Sequence, residues 1–292
     1  MEVDALSVGL RALSFIALFQ AGGAALFVAR FGSETAVSGA LIRKIGLVAA
    51  LAGIVFAVGH YALEAARMAG EIAGMLDPSL QQLVLSSSAS SALAWRVAGL
   101  LLIAIGLGSP SASGSSSTSS QALLTLLGVV WAAAAFALVG HTVESPSRWV
   151  LSLALIAHLL AVAFWFGGLV PLYLVSRRES LAAAAKIVAD YSSIASRVVP
   201  ALFIAGVLLA VLLLPGVAAL ASPYGLILLG KVTLFALLMA LATLNKWHFG
   251  PAMARGDESA KVKFQRSVLA ELTLISIVLA MTAVMTSLYS PE

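Results

Sequence analysis

Long apolar stretches alternate with short polar segments along the chain. The stretches are continuously apolar, without the strict alternation of a half-buried strand, so they predict helices. About 20 apolar residues are needed to cross the hydrocarbon core of a bilayer as a helix. Runs of that kind lie at about 6–29, 43–65, 92–108, 121–142, 149–175, 198–219, 223–245 and 267–289. The pattern therefore predicts an all-α integral membrane protein, a polytopic bundle of about eight transmembrane helices.

The charges of the connecting segments predict how the bundle is oriented. Lysine and arginine are enriched in loops on the cytoplasmic side of a membrane. The connections after the first, fifth and seventh predicted spans are basic, with Arg30, Arg43, Lys44, Arg177, Arg178, Lys186, Arg197, Lys246, Arg255, Lys261, Lys263 and Arg266. Connections on the opposite side contain only Arg67 and Arg148. We therefore expect both termini to lie on the outer side of the membrane.

Two segments interrupt the regular pattern of spans. Residues 109–120 read SPSASGSSSTSS and predict a flexible, serine-rich linker on the cytoplasmic side. Residues 66–91 are moderately apolar and predict a short helix that lies on the outer surface. We interpret residues 1–292 as a single transmembrane domain, with three spans within 1–108 and a five-span core within 121–292.

Composition supports the membrane interpretation and narrows the chemistry. Of the 292 residues, 61% are hydrophobic and 10% charged, whereas a soluble domain has about 25% charged residues. No basic blocks interleaved with aromatic residues occur, so nucleic acid is not an expected partner. Neither a Walker loop nor a hydrolase motif is found, and an enzyme is not predicted. The chain has no cysteine, so a soft metal would have to bind to imidazole nitrogen or methionine sulfur.

Histidines within apolar spans are the first candidates for a function, because ionisable residues are costly in a membrane. In the predicted orientation, His60 and His141 lie near the outer ends of the second and fourth spans, and His158 lies inside the fifth. Three imidazoles at similar depth could converge on one metal ion. Alternatively, each could form a hydrogen bond to a backbone carbonyl or a lipid headgroup. His248 belongs to the inner face.

Carboxylates accompany two of these histidines. Glu64 follows His60 by four residues and Glu144 follows His141 by three, so each can share a helical face with its histidine. Either carboxylate could be a metal ligand, a partner that orients the imidazole, or an interfacial charge.

Two methionines add candidate soft ligands near the outer end of the last span. Met281 and Met285 are four residues apart and therefore share one face of the predicted helix. Methionine pairs in helices also serve as core filler. Imidazole with thioether and without thiolate is nevertheless a ligand set that suits copper outside the cytoplasm.

Lys231 and Glu271 are charged residues inside predicted spans, so each is expected to form an ion pair. The candidate partners are Glu64 and Glu144 for Lys231, and Arg266 and Arg197 for Glu271. We interpret both residues as structural.

The stretch His158-Leu-Leu-Ala-Val-Ala-Phe-Trp-Phe-Gly-Gly-Leu-Val-Pro171 resembles the signature helix of the copper resistance protein D (CopD) family. The order of short motifs that follows is also similar to the family: Tyr191-Ser with Arg197, Ser222-Pro-Tyr-Gly225, Leu229-Gly-Lys231, Leu244-Asn-Lys246, Pro251, Arg266-Ser-Val268 and Glu271-Leu272. The resemblance is strongest over about residues 125–290, and the layout of eight spans extends it to the whole chain.

The resemblance implies a multi-pass protein of the bacterial inner membrane that handles copper. It implies uptake of copper from the periplasm, with a small periplasmic copper-binding protein of the CopC type as a separate partner and with lipid around the bundle. Gly140-His141 and His158 match positions where the family is expected to have histidines. We therefore predict a copper-binding permease with the metal ligands His60, His141, His158, Met281, Met285, Glu64 and Glu144.

Two alternatives use the same residues. A membrane cytochrome could bind haem axially through two histidines on facing helices, either His60 with His141 or His141 with His158. A copper-delivery partner could bind the metal without transporting it. A visible haem band would identify the first alternative, and copper binding without transport would identify the second.

Overall fold

The computed structural model describes residues 2–109, 115–140, 143 and 145–290. His141 and Glu144, two of the predicted metal ligands, lie outside these residues. The helices are α1 (Glu2–Phe31), α2 (Gly39–Ala69), α3 (Pro78–Ser86), α4 (Ser88–Gly108), α5 (Ser115–Ala134), α6 (Arg148–Arg178), α7 (Leu181–Leu213), α8 (Pro223–Leu244) and α9 (Glu258–Leu288). A π-helical turn, Asn245–Phe249, and a short helix, Gly250–Ala254, follow α8.

Among the described residues, eight helices are long and apolar enough to cross a membrane, and these residues form no strand. The prediction of an all-α chain with eight helices able to span a membrane is therefore confirmed. The predicted bounds of the sixth span were wrong, because α7 begins at Leu181 and ends at Leu213 rather than covering 198–219. Pro215 disfavours a helical conformation at the residue before it, where α7 has ended, and residues 217–221 form a separate 3-10 turn.

The two interrupting segments have different outcomes. Ser115–Ser120, half of the predicted linker, begin helix α5, and residues 110–114 lie outside the description. A serine tract can continue a helix where an apolar span follows directly, since the span supplies the packing that serine lacks. The short helix predicted within 66–91 is present as α3, which begins after Asp77. The Asp77 carboxylate accepts hydrogen bonds from the backbone N–H groups of Ser79 and Leu80.

Helix α1 lies at the centre of the bundle and packs against α2, α5, α6 and α9. Its crossing with α6 is formed by two glycines. A Cβ atom on Gly23 would lie 2.2 Å from the Cα of Gly167, and a Cβ on Gly167 would lie 2.1 Å from the carbonyl oxygen of Phe19. The two backbones are therefore in direct contact, which is how membrane helices gain packing energy without a hydrophobic driving force.

Both chain ends lie at the same end of the bundle, which we call the outer end in accordance with the predicted orientation. Nη1 of Arg11 on α1 donates to the carbonyl oxygen of Thr286 at 3.1 Å and to Oγ of Ser287 at 3.2 Å. Nη2 of Arg67 on α2 donates to the carbonyl oxygen of Ser287 at 3.1 Å. Two cations thus satisfy carbonyl groups at the C-terminus of α9, where the helix dipole is negative.

At the opposite, inner end, Glu179 joins the α6–α7 connection to the start of α2. Its Oε1 accepts from the backbone N–H groups of Val37 at 3.0 Å and Ser38 at 2.8 Å, and from the Ser38 hydroxyl at 2.6 Å. Burial by itself raises the pKa of Glu179, but the hydrogen bonds from Ser38 and Val37 outweigh burial, so the pKa lies below its ordinary value of 4.5.

We expect Glu179→Gln to destabilise the protein by about 1–2 kcal/mol at neutral pH, because charge-assisted hydrogen bonds to buried donors become neutral ones. Since the folded state lowers the pKa of Glu179, its contribution is complete above pH 4.5 and is lost as the pH falls through the lower folded value. Thermal unfolding in detergent across this pH range measures both effects.

The control for this prediction is Glu258→Gln. The Glu258 side chain is 70% exposed, and its carboxylate lies 3.7 Å from the ammonium group of Lys261. Loss of the Glu258 charge should therefore change the free energy of unfolding little. A Glu179→Gln protein as stable as the wild type at neutral pH would show that the ionised carboxylate does not stabilise the α2 terminus.

Candidate functional site

Charged side chains from three helices meet near the outer end of the bundle. We call His60, Glu64, Arg67, Arg11 and Arg96 the outer polar cluster. Within it, Nδ1 of His60 lies 3.6 Å from Oε1 of Glu64, and Nη1 of Arg67 lies 3.4 Å from Oε2 of the same carboxylate. At 3.6 Å the imidazole and the carboxylate are close together, but the distance is too long for a hydrogen bond. Glu64 therefore lies between an imidazole and a guanidinium on consecutive turns of α2.

Within the described part of the chain, the second ring nitrogen of His60 has no hydrogen-bond partner. Nε2 is buried, and the hydroxyls of Tyr61 on α2 and Ser7 on α1 are likewise buried without a partner among the described residues. Buried polar atoms without partners are rare in folded proteins, and each calls for an explanation such as a bound ion. With Glu64 next to Nδ1, a proton on that nitrogen leaves the lone pair of Nε2 for a metal.

Arginines dominate the electrostatics around His60. Arg11, Arg67 and Arg96 all interact electrostatically with the imidazole. The guanidinium of Arg96 lies over the Phe136 ring, 4.2 Å from its centroid, and Arg67 also lies 3.8 Å from Asp4. The surrounding positive charge opposes a stable complex with a bare cation, whereas Glu64 and Asp4 partly offset it.

His158 has a different environment, between α6 and α7. Its Nδ1 lies 3.2 Å from the carbonyl oxygen of Leu202. Because a carbonyl can only accept, Nδ1 carries the hydrogen, and Nε2 of the neutral ring has a free lone pair. Gly206 makes room for the ring, since a Cβ atom there would lie 3.3 Å from Cε1 of His158. From the sequence, a hydrogen bond to a backbone carbonyl was the alternative to metal binding. For Nδ1 of His158, that alternative is confirmed.

Met281 and His158 approach the same turn of α8. The methyl carbon of Met281 lies 2.8 Å from the position that a Cβ on Gly230 would occupy. The next residue, Lys231, interacts electrostatically with His158. Met285, one turn further out on α9, is 6% exposed. Within the described part of the chain, no carboxylate lies within ion-pair distance of Lys231, and Glu64, one of its two predicted partners, pairs with Arg67 instead.

The structure thus separates the predicted ligands into two neighbourhoods. His60 and Glu64 belong to the outer polar cluster, which α1, α2 and α4 form. His158 and Met281 lie around the Gly230–Lys231 turn, among α6, α7, α8 and α9. Over the described ranges, no group of three His, Cys, Asp or Glu side chains could hold a metal ion. Gly140, with φ of 78°, turns the chain directly before His141.

Comparison with known proteins identifies the family of the chain. Residues 1–147 match the family model "Copper resistance protein D-like, N-terminal domain", and residues 185–285 match the model "Copper resistance protein D". A copper resistance protein D from Pseudomonas syringae pv. tomato is 30% identical over 268 residues, which cover 86% of this chain and 84% of that protein. The chain belongs to the copper resistance protein D family. No solved structure gives a significant match.

Membership in the copper resistance protein D family confirms the resemblance noted in the sequence, although the matched segments differ from those expected. The N-terminal half, which resembled the family less, is matched throughout residues 1–147. The stretch from His158 to Pro171 lies between the two matched segments. The whole outer polar cluster, including His60, therefore lies within the segment that matches the N-terminal domain model.

Sequence reasoning missed the arginines around His60. Arg11 and Arg96 lie inside the first and third apolar runs. Because a charge inside such a run is energetically costly, these two arginines could have been recognised from the sequence as candidate site residues. The predicted partners of Glu271 were also wrong. Its carboxyl group accepts hydrogen bonds from Asn245 and Trp165 rather than pairing with Arg266 or Arg197.

Proposed function

We propose that this chain is a copper-binding permease of the bacterial inner membrane, which moves copper from the periplasm toward the cytoplasm. The family and the eight apolar helices support a copper-related membrane function. The observation on which the copper contact rests is the buried Nε2 of His60, which has no partner among the described residues and lies in a cluster at the outer end of the bundle.

In this proposal His60 is the first contact for the incoming ion. Glu64 orients the ring from the Nδ1 side, and Nε2 binds the metal. His141 is the predicted second ligand. Imidazole nitrogen without thiolate binds copper moderately, which suits a passage that must also release its ion.

His158 is the proposed second station, deeper in the bundle. Its Nδ1 is held by Leu202, so the ring presents Nε2 in a defined orientation. Met281 contributes a thioether across the Gly230–Lys231 turn. The ammonium group of Lys231 lies close enough to oppose a long-lived copper complex at His158, so the ion does not become trapped.

Copper uptake into reconstituted vesicles tests the proposal. The protein is inserted into vesicles that contain a copper-sensitive chelating dye, and Cu(I) is added outside. We expect uptake by the wild type and a decrease of about tenfold or more for His158→Ala, because the imidazole of the second station is lost. The control is His248→Ala, since His248 lies in the inner π-helical turn with its ring against Phe249.

The other outcomes distinguish the alternatives. Copper binding without uptake by a well-folded wild type would favour the delivery partner. A visible haem band in the purified protein would favour the cytochrome, whose predicted ligand pairs both include His141. Equal uptake by the wild type and His158→Ala would contradict the second station.

A further inference from the structure

A buried carboxyl group lies in the bundle, away from the proposed copper ligands. Glu271 of α9 is 2% exposed and accepts hydrogen bonds from the side-chain amide of Asn245, at the end of α8, and from the indole of Trp165 on α6. No basic side chain of the described chain forms an ion pair with it. An ionised carboxylate without a counter-ion is costly inside a membrane, and such residues mark ion or proton pathways.

The atoms around Glu271 indicate which ligand it takes. Nδ2 of Asn245 donates to Oε1 of Glu271, whereas Oδ1 of the same amide is buried and has no partner among the described residues. The hydroxyl of Ser267, one turn before Glu271, is also buried, and no described residue forms a hydrogen bond with it. The Asn245 oxygen can only accept, so it needs a donor. A proton on Glu271 supplies that donor, because an amide and a carboxylic acid form two reciprocal hydrogen bonds.

A pocket lies next to this region, and Asn245 is one of its lining residues. The pocket has a volume of about 350 Å³ and lies between α7 and the π-helical turn. Its polar lining consists of Ser192, Ser193, Ser196, Asn245 and Lys246. Asn245 therefore contacts both the pocket and Glu271. π-helical turns are rare overall, and those that occur are often found at functional sites.

We propose that Glu271 is a proton-exchange site and that the pocket between α7 and the π-helical turn connects it with the cytoplasmic side. A proton from the pocket binds to the carboxylate, and the resulting O–H donates to Oδ1 of Asn245. Release reverses the step and restores the carboxylate, which the N–H groups of Asn245 and Trp165 stabilise. No other reactant is needed.

The surrounding groups are compatible with this role. Tyr191 of α7 interacts electrostatically with Glu271, but its hydroxyl is engaged with the carbonyl oxygens of Phe164 and Trp165 at 2.9 and 3.2 Å. Lys246 donates to the Ser196 hydroxyl. Phe27 and Phe31 of α1 pack against Tyr191, and the His248 ring packs against Phe249.

Infrared difference spectroscopy on the copper-free protein tests the proposal, so the result does not depend on copper transport. We expect the carbonyl stretch of a protonated carboxyl group in the wild type, shifted in D₂O, lost in Glu271→Gln and retained in Glu271→Asp. The matched control is Glu179→Gln, which removes a carboxylate held by three hydrogen bonds at the inner end and should leave the band unchanged.

A second measurement tests the connection with the inner side. Because the chain has no cysteine, Ser192→Cys introduces a single thiol into the pocket. We expect a membrane-impermeant thiol reagent to label it from the cytoplasmic side only, and bulky labelling to slow deuterium exchange at the Glu271 band. A band that persists in Glu271→Gln, or a wild type without such a band at any pH, would overturn the proton site. Labelling from the outer side would overturn the inner connection.

Discussion

Gly23→Ala should prevent the bundle from assembling, whereas Gly22→Ala, one position earlier, should be tolerated. A Cβ atom on Gly23 would lie 2.2 Å from the Cα and 2.3 Å from the carbonyl carbon of Gly167, and backbone atoms cannot move aside as a side chain can. Helices α1 and α6 would have to separate, at an expected cost of about 3 kcal/mol or more.

The adjacent position provides the control, because both substitutions add one methyl group to the same turn of α1. A Cβ on Gly22 meets the Cβ of Ala163 at 3.4 Å, which is ordinary van der Waals contact. Size-exclusion profiles and thermal unfolding in detergent should show a loss of folded protein for Gly23→Ala alone. Two variants of equal stability would mean that α1 and α6 do not cross at Gly23 and Gly167.

His60→Ala should lower the affinity for Cu(I) by about 100-fold or more, because it removes the nitrogen that we assign as the first ligand. Glu64→Gln should lower affinity by about tenfold, since the imidazole persists but its orienting carboxylate does not. Titration of the detergent-purified protein against a competing Cu(I) chelator measures both changes.

The matched control for the titration is His248→Ala, which removes an imidazole of the same chain at the inner end. Binding should be equal to that of the wild type in this variant. If a folded wild type binds no copper, or if His60→Ala binds it as tightly as the wild type, the outer polar cluster is not the copper entry site.

The number, type and approximate position of the spans could be predicted because each depends on a local property, the length of a continuous apolar run. The ends of the spans were harder to predict. Helix α7 begins at Leu181, well before the apolar run. Its first turns contain Lys186, a charged residue that the apolar run excluded. Lys186 forms ion pairs with Glu34 and Asp190 at the inner end of the bundle.

The candidate sites could be predicted less well, because a site depends on which helices become neighbours. The histidines were visible in the sequence, but the contact of His158 with Leu202 spans 44 residues and was not. The partners of Glu271 show the same difficulty. The negative charge of Glu271 suggested an arginine partner. In the structure, the side-chain amide of Asn245 and the indole of Trp165 lie beside the carboxyl group instead. Many small residues permit several helix arrangements, so spacing alone does not choose among them.

The bonds of Arg11 to the end of α9 also determine the order in which the molecule can be completed during its synthesis. The guanidinium belongs to α1, and its acceptor at Thr286 follows 275 residues later in the chain. At roughly 5–20 residues per second, the delay is about 15–55 s. During this interval Glu64 of α2, which interacts electrostatically with Arg11, is already available to it. The contact between Arg11 and α9 therefore forms only after all the intervening helices have been synthesised.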